Sequence, residues 1–298
     1  MTTIKEIDTD AAAQTGIVPT LIVAVEQGFP REQRIIDDEL AAKFLPVGYR
    51  LLVKLTRMIP LLRDLMIKST ESQVAGFWSC MTCRKRYIDD QVTAAVSDGS
   101  VKGIVNLGAG FDTRVYRFPV LATVPVWEVD QPKNIAAKRR GIEHALGRVP
   151  PHVTLVATNF LDEDIRSVLE EQGYAGDLPI FFIWEAVSQY LNETAVRETF
   201  QFFTQAPAGS RLAFTYVLKD FVEGKNAFGQ QKFYERIVRE GIWHFGFDPE
   251  QVPGFLEEYG WRLLEDRGYD TLSRQYLQST GRDLAAMEIE RMVYAEKT

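Results

Sequence analysis

The sequence is poor in the residues that build metal and redox centres, with two cysteines and three histidines among its 298 residues. Most zinc, haem and iron–sulfur frameworks are thereby excluded, and any thiol chemistry falls to Cys80 or Cys83. A basic surplus is also lacking. With 34 Lys and Arg against 41 Asp and Glu, the formal charge is −7, which argues against nucleic acid as a partner because phosphate binding needs a basic surface. Long apolar runs are missing: IVPTLIVAV from Ile17 is short, and LLVKLTRMIPLLRDLMI from Leu51 is broken by Lys54, Arg57, Pro60, Arg63 and Asp64. The opening MTTIKEIDTDAAAQTG carries acids where an export signal has a basic region and an apolar core. A cytoplasmic protein without stable membrane insertion is expected. Repeats, low-complexity tracts and Pro/Gly/Ser linkers are absent too, so no domain border is marked.

What is present is an ordinary globular composition, 46% apolar and 25% charged, in a chain long enough to bury a large core without staples. Up to about Ser100 the pattern is helical, as in GFPREQRIIDDELAAKFL, and reads as a cap over residues 1–100. From Val101 short β-branched or aromatic runs alternate with helical stretches, the signature of βαβ units in a doubly wound α/β layer over 101–298. The predicted strands are Val101 to Leu107, Val124 to Val129, Val153 to Ala157, Pro179 to Trp184 and Arg211 to Tyr216. An insertion over about 217–260 follows, with a helix predicted in DPEQVPGFLEEYG from its N-cap Asp248, first-turn Pro249 and C-terminal Gly260. GWRLLEDRGYD and EIERMVYAEK then read as a closing antiparallel pair at the sheet edge.

Ligands of such sheets sit at the carboxyl ends of the strands, and four strand ends carry chemistry. The first runs into Gly108, Ala109, Gly110, Phe111, Asp112 and Thr113, a turn that lets backbone approach a ligand closely. A dinucleotide fingerprint would place Gly or Ala where Thr113 stands, to pack a helix under a pyrophosphate. That departure does no harm to a nucleoside without phosphates, and S-adenosylmethionine is such a ligand. The second strand ends in Asp130, about 20 residues past the turn, where a carboxylate accepts ribose hydroxyls or, in the competing reading, caps the next helix. The third leads to Asn159 and Phe160, suited to adenine hydrogen bonding and stacking, although Asn159 serves equally as a turn residue. The fourth ends at Glu185, an acid after an apolar strand that needs a partner: a ligand ammonium or a buried salt bridge.

The segments GIVNLGAGFDTRVYRF, WEVDQP and IFFIWEAVSQYL, in this order and spacing, resemble the leucine carboxyl methyltransferase family, including its bacterial branch of tetracenomycin-type polyketide O-methyltransferases. CRKRYIDDQV, IIDDELAAKFL and FGFDP extend the resemblance over most of the chain from about Ile35. It implies an S-adenosylmethionine-dependent methyltransferase with a seven-stranded α/β sheet and an N-terminal helical lid. It further implies that Arg84 holds the cofactor's carboxylate, that Gly108 and Gly110 form its turn, that Asp130 is the ribose acid and that Glu185 is the acid after the fourth strand. Lys85 stands where the family has Thr, and Asn159 and Phe160 stand where it usually has Asp-Leu.

Other segments have plainer readings. Cys80 and Cys83 lack a second ligand pair and read as packing residues of a helix face. Arg114 and Arg117 read as scaffold partners of Asp112 or Asp89. Residues 48–68 form a basic amphipathic segment, better explained as a lid over a hydrophobic pocket with its cations solvated than as a membrane surface helix. Tyr190, Trp243 and Phe245 are the candidate substrate-pocket residues. Of the histidines, His144 reads as solvated and His152 lies at the far sheet edge, which leaves His244 as the candidate catalytic group or, alternatively, a hydrogen-bonding residue beside Trp243. The function expected is O-methylation of a carboxylate or phenol on a small hydrophobic metabolite such as a polyketide. The alternatives are a protein C-terminal carboxyl methyltransferase, a nicotinamide oxidoreductase and a non-catalytic adenosylmethionine-binding protein.

Overall fold

The computed structural model describes residues 16–158 and 164–298. Four helices of ten residues or more lead: α1 (Ile17–Glu26), α2 (Val47–Met58), α3 (Pro60–Gln73) and α4 (Phe77–Ser97). Pro60 sits at the start of α3 and forces Ile59 into extended backbone, so α2 and α3 are two successive helices rather than one. The sheet and its helices follow as β1 (Gly103–Leu107), β2 (Val126–Asp130), α5 (Pro132–Leu146), β3 (Val153–Ala157), α6 (Ile165–Glu171), β4 (Ile180–Trp184), α7 (Glu193–Thr204) and β5 (Arg211–Val217). The chain closes with α8 (Val252–Glu258), β6 (Trp261–Gly268), α9 (Tyr269–Leu277) and β7 (Glu290–Lys297).

The seven strands lie in the order β3-β2-β1-β4-β5-β7-β6. Strands β1 to β5 are parallel, with Ile104 of β1 set between Val126 of β2 and Phe181 of β4. Strand β7 runs antiparallel between β5 and β6, pairing Val293 with Phe214. Both faces are covered, which is why the central strands are apolar throughout instead of alternating. Side chains still alternate in direction: Phe181 and Ile183 join the core that includes α1 and α4, whereas Phe182 and Trp184 join Phe200 and Phe203 of α7 on the opposite face. The strand order reverses between β1 and β4, and that switch point opens the crevice where ligands of this layer bind.

Two local expectations need correction. The helix expected from Pro249 begins only at Val252, because Asp248 and Gln251 close a turn first: the Asp248 side chain accepts from the Glu250 N–H at 3.1 Å. Within GWRLLEDRGYD the strand stops at Gly268 and Tyr269 opens α9, which packs on α4. In the insertion, Gln231–Tyr234 is α-helical and passes into a π-helical turn at Glu235–Arg239.

Helix α5 lies against the short helix Ala41–Phe44, and a Cβ on Gly141 would meet the Phe44 Cα at 3.1 Å and its carbonyl oxygen at 3.2 Å. Gly to Ala in a helix ordinarily gains about 1 kcal/mol. Backbone atoms on the other side cannot yield as a flexible side chain can, so Gly141→Ala is expected to destabilise by about 1 kcal/mol. A lower urea midpoint than that of the unsubstituted protein would report it.

Candidate functional site

The turn after β1 is held from below and behind. The N–H groups of Gly108 and Ala109 donate to the Val129 carbonyl of β2 at 2.9 and 3.0 Å. Lys138 of α5, fully buried, donates to the Ala109 carbonyl at 3.1 Å and to Glu128 at 2.6 Å, and the Tyr116 hydroxyl donates to the same carboxylate. Burial pushes the Glu128 carboxyl up, and Lys138 opposes that shift without cancelling it. Gly108 has φ +74°, and a Cβ there would sit 2.3 Å from Val187 Cγ2; only glycine fits. Gly110, at φ +42°, where a Cβ would meet the Gly108 carbonyl oxygen at 3.9 Å, donates its N–H to Asp130 Oδ2 at 2.6 Å. The other Asp130 oxygen accepts from the Gln131 N–H and from the Asn134 side chain, both at 2.7 Å. The carboxylate thus clasps the turn to the start of α5 and, with two lone pairs per oxygen, keeps acceptor capacity toward the crevice.

Glu185, at the end of β4, lies inside a cage of cations. Arg84 Nε approaches one carboxylate oxygen at 2.8 Å and Lys85 Nζ at 3.3 Å, while an Arg114 terminal nitrogen takes the other at 2.9 Å. Burial alone would raise this carboxyl; Lys85, Arg84 and Arg114 together overrule it and hold it well below the usual carboxylate range. Arg84 spans from Glu185 to Glu290 at 2.8 Å, and Arg114 also binds Asp89 at 3.0 Å and Asp112 at 2.6 Å. Arg117 pairs with Asp89 at 2.7 Å. These cations give Glu185 the buried ion-pair partners that an acid after an apolar strand needs. Cys83 is buried and its thiol is pushed up to about 12 by burial, and Cys80 is raised by burial and Glu290, so both are inert packing groups of α4.

A cavity of about 550 Å³ opens above these strand ends. One wall is polar: Asn106, Gly108, Gly110, Asp130, Asn134 and the Arg84–Lys85–Glu185 cluster. The other is apolar and aromatic, with Val74 just after α3, Phe77 at the start of α4, Tyr190 after β4, and Phe233, Ile237 and Trp243 from the insertion. Two polar atoms in this second wall, Trp243 Nε1 and Gln189 Oε1, are buried with no hydrogen-bond partner among the described residues. Burying such groups unpaired is costly, and with almost no accessible surface of their own these two atoms lie behind the lining rather than at it.

Of the residues singled out in the sequence, the structure brings Arg84, Gly108, Gly110, Asp130, Glu185, Tyr190 and Trp243 to this cavity. Asn159 and Phe160 lie outside the described residues. His244 is not brought there. Neighbouring side chains of a non-helical segment diverge, so the inward Trp243 leaves His244 exposed, with its backbone N–H donating to the Gln189 carbonyl at 2.7 Å. Phe245 turns to the far core, where its ring meets Phe247 edge-on at 4.8 Å. Sequence reasoning passed over Asn134, Gln189, Phe77 and Ile237 in the lining and Glu290 in the cage. Only Asn134 had a local signal, one helical turn beyond Asp130.

The fit to an adenosylmethionine-sized group can be judged on these residues. A turn with two glycines, a strand-end carboxylate with spare acceptor capacity, and cations for a carboxylate share one cavity wall. They suit that ligand. The sequence profile of a family described as leucine carboxyl methyltransferase matches residues 16–204. Relatives include a protein of Mycolicibacterium gilvum, provisionally named an S-adenosyl-L-methionine-dependent methyltransferase, 29% identical over 94% of this chain and 95% of that one. A protein of Mycobacterium avium with the same provisional name is 30% identical over 85% of each chain. Among solved structures, a DUF574 family protein of Streptomyces avermitilis superposes with a TM-score of 0.57 at 13% identity, covering 80% of this chain and 91% of that one. A provisionally named methyltransferase of Thermobifida fusca gives the same score and identity, over 80% and 88%. At such identities the likeness to the solved structures is one of fold.

Proposed function

Since this chain belongs to the leucine carboxyl methyltransferase family and is an S-adenosyl-L-methionine-dependent methyltransferase, we propose that it methylates an oxygen, foremost a carboxylate, on a small apolar or aromatic metabolite of polyketide type. The observation that carries this reading is the two-walled cavity, polar at the strand ends and aromatic opposite. When bound, S-adenosylmethionine supplies an electrophilic methyl group on a cationic sulfur. In this reading Asp130 takes the ribose hydroxyls, Lys85 and Arg84 meet the amino-acid carboxylate, and Gly108 and Gly110 leave room for the backbone to approach. The aromatic wall of Phe77, Phe233 and Trp243 orients the acceptor and keeps out water, which favours a step in which opposite charges neutralise each other.

None of the three histidines lines the cavity, so the acceptor best served is one already ionised at neutral pH. A carboxyl, with an ordinary pKa of about 4, is ionised there and a phenol, near 10, is not. Arg236 at the cavity wall adds a positive charge.

Incubation with methyl-labelled S-adenosylmethionine and a pool of small aromatic and polyketide acids is expected to place base-labile label in the small-molecule fraction. Base-stable label would move the acceptor to a hydroxyl. Label confined to protein would assign a polypeptide carboxylate. Thermal stabilisation by NAD but not by S-adenosylhomocysteine would overturn the whole reading.

A further inference from the structure

Among the described residues, the exposed large apolar side chains are not scattered. All but four of them (Val18, Leu146, Leu178 and Leu264) fall between Val47 and Leu65, on the α2–α3 segment. Val47 is 74% exposed, Leu51 60%, Met58 68% and Leu61 68%. In α2, Val53 and Thr56 face inward, and Val47, Leu51, Leu55 and Met58 recur at four, four and three residues along the opposite side as one outward stripe. Leu61 and Leu65 continue it on α3. A monomer rarely leaves so concentrated an apolar surface without a partner.

The charge around the stripe is the reverse of the chain's. From Lys43 to Lys68 there are six Lys and Arg and a single acid, Asp64, in a protein of net charge −7. Arg50 and Arg63 are spent on carbonyls of the protein itself, at Leu45 and Gly28, but Lys54 and Lys68 are exposed and form no ion pair among the described residues. Cations flanking an apolar helical stripe are the arrangement of helices that lie in the interface of an anionic bilayer. A second copy of the chain fits less well, because a symmetric pair would set this patch against itself and bring like charges together. The far end of α3 carries Thr70 and Gln73 into the cavity wall.

We propose that the α2–α3 segment docks on an anionic membrane surface, with Val47, Leu51, Leu55, Met58, Leu61 and Leu65 entering the headgroup–acyl boundary and Lys54 and Lys68 meeting lipid headgroups. The docking is peripheral, since no helix among the described residues is long and apolar enough to cross a membrane. It sets the aromatic wall of the cavity next to a source of apolar acceptors. This surface stands independently of the methyl-transfer reading.

Co-sedimentation of the intact protein with vesicles tests it. Binding to equimolar phosphatidylcholine and phosphatidylglycerol, absent with phosphatidylcholine alone and weakened by salt, is expected. Leu51→Glu with Met58→Glu, and separately Lys54→Glu with Lys68→Glu, should each weaken the partition about tenfold or more while circular dichroism and S-adenosylhomocysteine binding stay unchanged. None of these side chains lines the cavity. Failure to bind anionic vesicles, equal binding to neutral ones, or unaltered binding by both double variants would overturn the proposal. So would a concentration-dependent dimer in light scattering that the same variants dissociate, which would give the face to a second copy.

Discussion

Asp130→Asn is expected to weaken S-adenosylhomocysteine binding roughly 10- to 100-fold while leaving a folded protein, because hydrogen bonds to a charged group contribute about 1.5 to 3 kcal/mol. The carboxylate already accepts three protein donors: the N–H of Gly110, the N–H of Gln131 and the Asn134 side chain. An asparagine has one accepting oxygen where the aspartate has two. Its amide nitrogen must face Gly110 or Gln131, donor against donor, so the glycine turn and the start of α5 are pushed apart. A ribose contact is lost and the turn under the ligand loosens, and both act on affinity. Calorimetric titration with S-adenosylhomocysteine reads the affinity, and urea unfolding without ligand reads the fold. An unchanged dissociation constant in the folded variant would remove Asp130 from the proposed cofactor site.

The residues that could be placed from the sequence are those whose position is set locally. A strand buried on both faces announces itself as an apolar run, and whatever follows it stands at the carboxyl end; Gly108, Asp130 and Glu185 were legible for that reason. The cage around Glu185 was not. Arg84 and Arg114 reach it from 101 and 71 residues away in sequence, and no local pattern says that α4 and the turn after β1 converge there. His244 shows the opposite failure. Proximity to Trp243 in sequence suggested proximity to substrate, yet adjacent side chains of a non-helical segment point apart. In the α2–α3 segment, periodicity shows that apolar residues share a side without showing which side faces solvent. The expectation of an inward apolar face and solvated cations missed the stripe that Val47, Leu51 and Met58 leave exposed.

Arg114→Met is expected to be the most destabilising of these changes, by about 3 to 5 kcal/mol at pH 7, the cost of removing one partner from a buried ionic cluster. Methionine fills much of the same space, so the loss is one of charge rather than of packing. Arg114 is fully buried and serves Asp89, Asp112 and Glu185 at once. Lys85 and Arg84 remain for Glu185 and Arg117 for Asp89, but Asp112 loses its only ion-pair partner among the described residues. The pH dependence gives a second signature. In the intact protein burial would raise Glu185 and Asp112; Lys85, Arg84 and Arg114 around the first, and Arg114 and Lys85 around the second, hold both below the ordinary carboxylate range. Carboxyls depressed in this way add stability that is complete above their unfolded value of about 4 and is lost as the pH falls toward the folded value. Without Arg114 the opposing burial dominates at Asp112, its folded value rises, and protonation relieves the variant at a pH where the intact protein still gains from its charge. The stability gap between the two should therefore be widest near pH 7 and narrow toward about pH 4 to 5. Urea midpoints at the two pH values measure it, and Arg114→Lys, which restores a positive charge without the fork that serves three carboxylates, should recover part of the loss. A gap below about 1 kcal/mol, in the range of a surface pair, would show that Arg114 does not hold the cage together.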